Sequence, residues 1–335
     1  MMSLLKLFFF HKKHLVGLFN SRILNNIIVD NCHYFYAKNK IKRLDNSPPR
    51  NFILETTNVC NAKCIMCGHN DMKRKQGFMT TGSFIKIVDD AKKCGIKYVT
   101  LQGYGEPLLD EHIFERVKYL KDNGIKVAFN TNASLLDETR TKLLLKSGLD
   151  EIFISLDAFS KNKFEKIRYP LIFEKIMNNI EKLLEIRKKK GLSKPFVTLT
   201  FVIQDENREE AKNFYHHWKN KCDFLIISCA KNWAGQVEVK SKSSPHIKNS
   251  HTINYNPCDN LWTQLYVQYN GKVALCCEDY EGSVVIGDLN KESVSDVWWG
   301  KKLKAYRDAH LSKRRTLMPL CKQCQKHINW FKVKT

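Results

Sequence analysis

The sequence predicts an α/β fold with a parallel sheet, and three observations carry that prediction. Between residue 51 and about residue 228, short runs rich in β-branched and aromatic residues alternate with longer stretches of helical periodicity, as strands joined by crossover helices do. Gly95, Gly124 and Gly148 sit just past three of the helical stretches, where a left-handed residue ends a helix. Past residue 256 the texture changes: Asn270-Gly271 separates two apolar runs and cysteines recur in metal-like spacings.

Taken in order, residues 1–48 form a basic and aromatic extension. It opens with Leu4-Leu5-Lys6-Leu7-Phe8-Phe9-Phe10, passes Lys12-Lys13 and Tyr34-Phe35-Tyr36, and ends at Pro48-Pro49. No apolar run nears the roughly 20 residues of a membrane span. A helical extension packed on the core is expected, with weak contact to a membrane surface as the alternative, since cations and aromatics alternate.

Residues 49–232 form the α/β core. Strands are expected over 51–55, 98–102, 127–130, 151–156, 195–203 and 223–228. Helices are expected over 82–94, 112–122, 137–147, 173–190 and 206–219. Residues 233–257 read as a linker with Lys240-Ser241-Lys242-Ser243-Ser244-Pro245 at its polar centre. Residues 258–335 form a small second domain: a hairpin of 264–268 and 272–275 about Asn270-Gly271, then one helix over 294–310 carrying Trp298, Leu303 and Tyr306.

A chain of 335 residues that is 43% hydrophobic buries a real core, which excludes a disordered polymer. Twelve cysteines in a small secreted protein would imply disulfides. Here they cluster, and no signal-peptide cleavage pattern is seen, so a reducing cytoplasm is expected. The net charge of +22 comes mostly from dispersed Lys, which suits solvated faces better than bidentate phosphate recognition. No specific nucleic-acid partner is expected.

The chemistry concentrates in Cys60-Asn61-Ala62-Lys63-Cys64-Ile65-Met66-Cys67, a C-x3-C-x2-C loop just after the first strand. Three thiolates on so tight a loop converge on one small object, zinc or an iron-sulfur cluster. A closed site takes four ligands, so either His69 or a distant cysteine completes it, or one metal corner stays open for substrate.

With the lead-in Glu55-Thr56-Thr57-Asn58-Val59-Cys60-Asn61, the loop resembles the E-x-T-x-x-C-N signature of the radical S-adenosylmethionine (SAM) superfamily. The resemblance implies a partial (β/α)6 TIM-like barrel. It also implies that Cys60, Cys64 and Cys67 hold a [4Fe-4S] cluster whose open iron binds SAM and cleaves it to a 5'-deoxyadenosyl radical. Gly103-Tyr104-Gly105-Glu106-Pro107 directly follows a strand and resembles that family's G-G-E-P turn, with Tyr104 in place of a glycine. Asn130-Thr131-Asn132 and Ser155-Leu156-Asp157 end the next two strands, where side chains face a barrel mouth. The SAM contacts that the resemblance implies are Gly103, Gly105, Glu106, Asn132, Ser155 and Arg168. No catalytic acid or base can be named.

The tail carries Cys258, Cys276, Cys277 and the pair Cys321-Lys322-Gln323-Cys324, which reads as a four-thiolate site. It resembles the SPASM/Twitch extension of radical SAM enzymes, which implies one auxiliary [4Fe-4S] cluster on Cys258, Cys276, Cys321 and Cys324. Cys277 is the alternative to Cys276, and structural zinc the alternative to the cluster. Cys32, Cys94, Cys222 and Cys229 are expected as buried apolar thiols. The implied activity is hydrogen abstraction from a sugar-like or peptide substrate, leading to oxidation or epimerisation, with electrons from a donor such as flavodoxin or ferredoxin. The alternatives are a radical SAM enzyme that modifies RNA and a non-enzymatic, zinc-stabilised nucleic-acid-binding protein.

Overall fold

The computed structural model describes residues 34–39, 41–237, 256–324 and 331–333. Six strands joined by five helical crossovers run through β1 (Asn51–Leu54), α1 (Thr81–Lys93), β2 (Tyr98–Leu101), α2 (Ile113–Asp122), β3 (Lys126–Thr131), α3 (Glu138–Ser147) and β4 (Glu151–Ser155). They continue with α4 (Lys161–Ile167), α5 (Phe173–Lys189), β5 (Phe196–Ile203), α6 (Ala211–Trp218) and β6 (Phe224–Cys229). The helices form where side-chain periodicity and caps agree. In α1, Phe84, Ile87, Val88 and Ala91 make the apolar stripe, and the Thr80 side chain accepts the Ser83 N–H. In α3, Asp137 caps the start and Gly148, at φ 80°, ends the helix.

β1 to β6 pair in parallel and in chain order. Side chains alternate between faces along each strand. Phe52, Leu54, Val99, Leu101, Val127, Phe129, Ile152, Ile154, Val197, Leu199 and Phe201 point towards the helices and are fully buried. The opposite, inner face carries Thr100 and Gln102, then Asn130, Ser155, Thr200 and Ser228. Register joins Ser155 to Thr200 and Val202 to Ser228 across this face. Towards the C-terminal ends of β2 to β6 this face therefore presents amides and hydroxyls.

The C-terminal strands are β7 (Gln264–Val267), β8 (Lys272–Ala274) and β9 (Val285–Asp288). They do not stand apart from the first sheet. β7 pairs in parallel with β1 from Asn51↔Gln264 to Leu54↔Val267, and β8 and β9 follow antiparallel. With the short β10 (Phe331–Val333) antiparallel on β6, the sheet has ten strands in the order β10-β6-β5-β4-β3-β2-β1-β7-β8-β9. It is an open partial barrel with β9 and β10 as its edges.

Three local readings need correction. α4 was not expected, because a seven-residue helix shows too few turns for periodicity to register. The helix expected over 206–219 begins with a 3-10 turn at Arg208–Glu210 and becomes α-helical only at Ala211. The single helix expected over 294–310 is two, α8 (Val294–Trp298) and α9 (Lys301–Leu311). They part at Gly300, which is extended (φ −67°, ψ 156°), and a Cβ there would lie 2.4 Å from the Asp296 carbonyl oxygen. No other residue type fits that corner without movement.

The described end of the N-terminal extension lies on the C-terminal helices. Tyr34 is buried, the Trp298 indole donates to the Ser47 carbonyl at 2.8 Å, and the Trp262 indole donates to Asp45. Residues 1–33, with Cys32, and 238–255, with most of the linker, lie outside the described residues. Among the described residues, no helix is long and apolar enough to cross a membrane.

Candidate functional site

The cysteine loop leaves the C-terminal end of β1 and is strapped down before its first thiol. Thr57 donates its hydroxyl to the Gly77 carbonyl at 2.9 Å, and the Asn58 carboxamide bridges the Lys75 carbonyl (3.0 Å) and the Gly77 N–H (2.8 Å). Past Cys60, the Lys63 and Ile65 N–H groups donate to the Tyr169 and Ile167 carbonyls. The loop is thus held on the C-terminal end of α4 and the residues just past it. Cys60, Cys64 and Cys67 are half-buried free thiols. Burial pushes Cys60 up to about 12 and Cys67 to about 11, so bare thiols here keep their protons and a metal has to displace them. Arg168 Nη1 donates towards Cys64 Sγ at 3.7 Å, and the His69 N–H towards Cys67 Sγ at 3.5 Å. His69 Nε2 lies 3.0 Å from the Asn58 carbonyl oxygen, which takes up one of its two ring nitrogens.

Glycines let the neighbouring turn close on this loop. A Cβ on Gly105 would stand 2.3 Å from the Thr57 carbonyl oxygen, and one on Gly103 would strike the Glu55 side chain at 2.3 Å. Gly103 is thus explained by packing against Glu55. The Glu106 carboxylate accepts from the Leu108 N–H (3.1 Å), the Thr131 hydroxyl (2.6 Å) and the Asn132 N–H (2.7 Å). Asn132 then donates to Asn61 at 2.9 Å, tying the end of β3 to the cysteine loop. Burial raises the Glu106 pKa, and those donors pull against the rise. Arg168 donates through Nε and Nη2 to Asp157, whose other oxygen accepts the Val202 N–H at 2.7 Å. Ser155 accepts the Thr200 hydroxyl at 3.3 Å. Ala133 and Asp157, just past β3 and β4, take left-handed φ values of 58° and 55°. Such strain costs about 1–3 kcal/mol and collects at functional sites.

Among the described residues, no three His, Cys, Asp or Glu side chains close on a single-ion site. The donor chemistry of the loop nonetheless fits an iron-sulfur cluster. It offers three soft thiols and a guanidinium directed at sulfur, while the nearby carboxylates of Glu106 and Asp157 are engaged by protein donors.

Sequence reading missed the anchor beneath the site. Glu55, fully buried, receives a bidentate pair from Arg74 at 2.7 and 2.6 Å, the Tyr266 hydroxyl at 2.7 Å and the Tyr104 N–H at 3.1 Å. Arg74 sits in Lys73-Arg74-Lys75 and is hidden among many solvated cations. Arg74→Met leaves Glu55 charged without its cation, and a broken buried pair costs about 3–5 kcal/mol. Anaerobic urea unfolding should show a loss of that size, and a loss under about 1 kcal/mol, the range of an exposed pair, would remove the anchoring role.

Tyr104, the residue that departs from G-G-E-P, lies in an aromatic cluster against which Cys67 also packs. Its ring meets Trp233, Tyr266 and Tyr280 edge-on at 5.4, 6.4 and 5.9 Å. Its hydroxyl donates to the Cys277 carbonyl at 2.7 Å, which joins the β2 turn to the C-terminal region.

That region holds a small cavity, partly open to solvent, lined by Cys258, Cys276, Cys321 and Cys324 with Glu278, His310 and Arg315. The four thiols come from the approach to α7 (Asn260–Thr263), the end of β8 and the helix α10 (Pro319–Lys322) with its following turn. Cys277 instead directs its thiol to the Gln264 carboxamide at 3.5 Å. Burial pushes Cys321 up to about 12 and raises Cys276 well above the usual thiol range. His310 Nδ1 accepts the Cys258 N–H at 3.0 Å, which leaves the proton of the neutral ring on Nε2. Of the remaining thiols, Cys222 is buried, whereas Cys94 and Cys229 are half-buried.

A short strap joins the two sets of cysteines. Trp233, Ala234 and Gly235 all have left-handed φ (46°, 59° and 85°). The Trp233 indole donates to the Met66 carbonyl at 2.7 Å, and Asn232 donates to the Gln323 carbonyl at 2.7 Å. Both cysteine loops therefore hold the strap, and neither anchor was legible in the sequence.

Residues 54–217 match the model of the Radical SAM superfamily, and residues 258–325 match that of an iron-sulfur cluster-binding domain, SPASM. Among curated proteins, the chain is 28% identical over 177 residues to the tungsten-containing aldehyde ferredoxin oxidoreductase cofactor-modifying protein of Pyrococcus furiosus, over 52% of this chain and 50% of that one. It is 30% identical over 182 residues to GTP 3',8-cyclase of Clostridium perfringens, over 52% and 53%. The chain thus spans about half the length of the curated relatives it matches. Among solved structures, it resembles SuiB of Streptococcus suis bound to the precursor peptide SuiA, with TM-score 0.65, 16% identity and coverage of 79% of this chain and 68% of that one. It also resembles BtrN in complex with AdoMet and 2-DOIA, with TM-score 0.56, 17% identity and coverage of 83% and 93%. At these identities the likeness establishes the fold.

Proposed function

Because the chain belongs to the radical SAM superfamily and carries a C-terminal SPASM iron-sulfur domain, we propose that it is a radical SAM oxidoreductase acting on a sugar-like or peptide substrate. Cys60, Cys64 and Cys67 would hold the [4Fe-4S] cluster. Gly105, Glu106, Asn132 and Ser155 would hold SAM beside it, Gly103 would contribute only backbone, and Arg168 would reach SAM only by leaving Asp157. Given an electron from an external donor, the cluster and SAM would together supply a 5'-deoxyadenosyl radical, with methionine released, to take a hydrogen atom from the substrate. Cys258, Cys276, Cys321 and Cys324 would hold an auxiliary cluster that takes or relays an electron in an oxidation or epimerisation.

The observation that carries this reading is the cavity that those four cysteines line. Four thiolates complete a cluster and leave no iron open to SAM, so this second site suits electron transfer. The protein's own contribution is positioning: the Glu55–Arg74 anchor and the Asn132–Asn61 bond fix the cysteine loop against β2 and β3.

The inner face of the sheet supports this substrate class. Gln102, Asn130, Ser155, Thr200 and Ser228 offer amides and hydroxyls, the groups that pair with a polyol or a peptide backbone. Phosphates call for Arg, Lys or metal, and the inner positions at the C-terminal ends of these five strands supply no cation. This disfavours a nucleoside triphosphate such as the one named in the cyclase relatives.

Anaerobically reconstituted protein given SAM and dithionite should release 5'-deoxyadenosine, faster when an aminocyclitol or peptide substrate is present. Stimulation by GTP alone would overturn the substrate class. Tight binding to tRNA that survives about 200 mM salt, where non-specific phosphate contacts weaken steeply, would favour RNA modification instead.

A further inference from the structure

Arg315 is 3% exposed and lines the four-cysteine cavity. Its Nη2 donates to the Cys324 carbonyl at 3.0 Å, while Nε and Nη1 have no hydrogen-bond partner among the described residues. A buried guanidinium with two unmade bonds costs several kcal/mol unless something on its open side accepts them. No carboxylate does so. Glu278, the acid on the same cavity wall, is 2.8 Å from Lys231, and no described acid forms an ion pair with Arg315. The groups that line the cavity beside it are thiols: Cys321, and Cys324, whose own carbonyl holds Nη2.

We propose that Arg315 is the built-in counter-charge of the auxiliary cluster, donating Nε–H and Nη1–H to its sulfur atoms and raising its reduction potential. The inference rests on the reading of this cavity as a cluster site. A four-thiolate cluster is anionic and gains further negative charge on reduction, so a fixed cation favours the reduced form. Hydrogen bonds to sulfur act in the same direction. Planar and pre-organised, Arg can address two sulfurs at once, which a Lys ammonium at the same position cannot. Arg315 is thus a positioning and tuning residue for the electron acceptor, and it does not touch the reacting carbon.

The test uses the full chain with Cys60, Cys64 and Cys67 all replaced by Ala, so that only the tail cluster is read. Grown with arginine isotopically labelled in its guanidinium, the dithionite-reduced protein should show a nitrogen hyperfine coupling in pulsed EPR. The coupling should be lost in Arg315→Lys. In a redox titration followed by EPR, Arg315→Met should move the midpoint to more negative potential, with Arg315→Lys between the two. If Arg315→Met does not fold, the coupling in the parent chain and its loss in Arg315→Lys decide the matter. An iron-loaded tail cluster that shows no labelled coupling would overturn the role of Arg315 while leaving the cluster standing, and so would an unmoved midpoint in folded Arg315→Met. Zinc or no metal in the parent chain would overturn both.

Discussion

Cys64→Ala is expected to abolish 5'-deoxyadenosine formation, leaving only the background of dithionite and SAM. Cys64 is the middle ligand of the proposed set and the one tied most closely to the protein. Its carbonyl accepts the Cys67 N–H and the Asn70 side chain, and its thiol faces Arg168. Alanine keeps the backbone bonds and removes only the sulfur, so the loop should hold its shape while the cluster loses a ligand. A [4Fe-4S] cluster bound by two thiols is not retained, and iron should fall from about eight to about four atoms per chain under two-cluster ligation. The four remaining irons report that the tail site, and with it the fold, is intact. Cys94→Ala is the control, because that thiol lies at the C-terminal end of α1, outside both cysteine sets. SAM cleavage by Cys64→Ala at the wild-type rate would sink the assignment of the loop.

The alternating strands and helices were legible because each is a local pattern: β-branched runs of four to eight residues, apolar stripes at helical spacing, and glycines at φ near 80°. The parallel pairing of β7 with β1 was not, because Gln264 to Val267 reads as half of a hairpin whichever sheet receives it. Register between distant segments leaves no local mark. The same division runs through the site. Cysteine spacing located two sets of thiols, whereas their partners, Arg74 under Glu55, Arg315 in the tail cavity and Trp233 on the Met66 carbonyl, are single residues placed by tertiary contacts. A cation among so many lysines carries no signal until burial singles it out. Cys276 against Cys277 is a further case. Consecutive residues at a strand end point to opposite faces, and only the direction of the end of β8 decides which one meets the cavity.

Cys321→Ala/Cys324→Ala is expected to separate SAM cleavage from turnover. The two thiols belong to one turn: the Cys321 N–H donates to the Met318 carbonyl and the Cys324 N–H to that of Cys321. Losing both leaves Cys258 and Cys276, which cannot hold a cluster alone, so iron should fall from about eight to about four per chain. Those four belong to the Cys60 loop, and 5'-deoxyadenosine should still form. The strap makes full preservation too much to ask. Trp233 holds the Met66 carbonyl while Asn232 holds Gln323, between the two lost thiols, so a slackened tail turn relaxes one end of a left-handed segment whose other end supports the first loop. Cleavage should therefore persist at a reduced rate, and substrate oxidation should disappear because the radical formed on the substrate has no acceptor for its electron. Uncoupled 5'-deoxyadenosine without product is the signature to measure. Product formed at the wild-type ratio by the double variant would show that the tail takes no electron. Four irons and one zinc in the wild-type chain would make the tail a structural site and remove the reason for favouring oxidation.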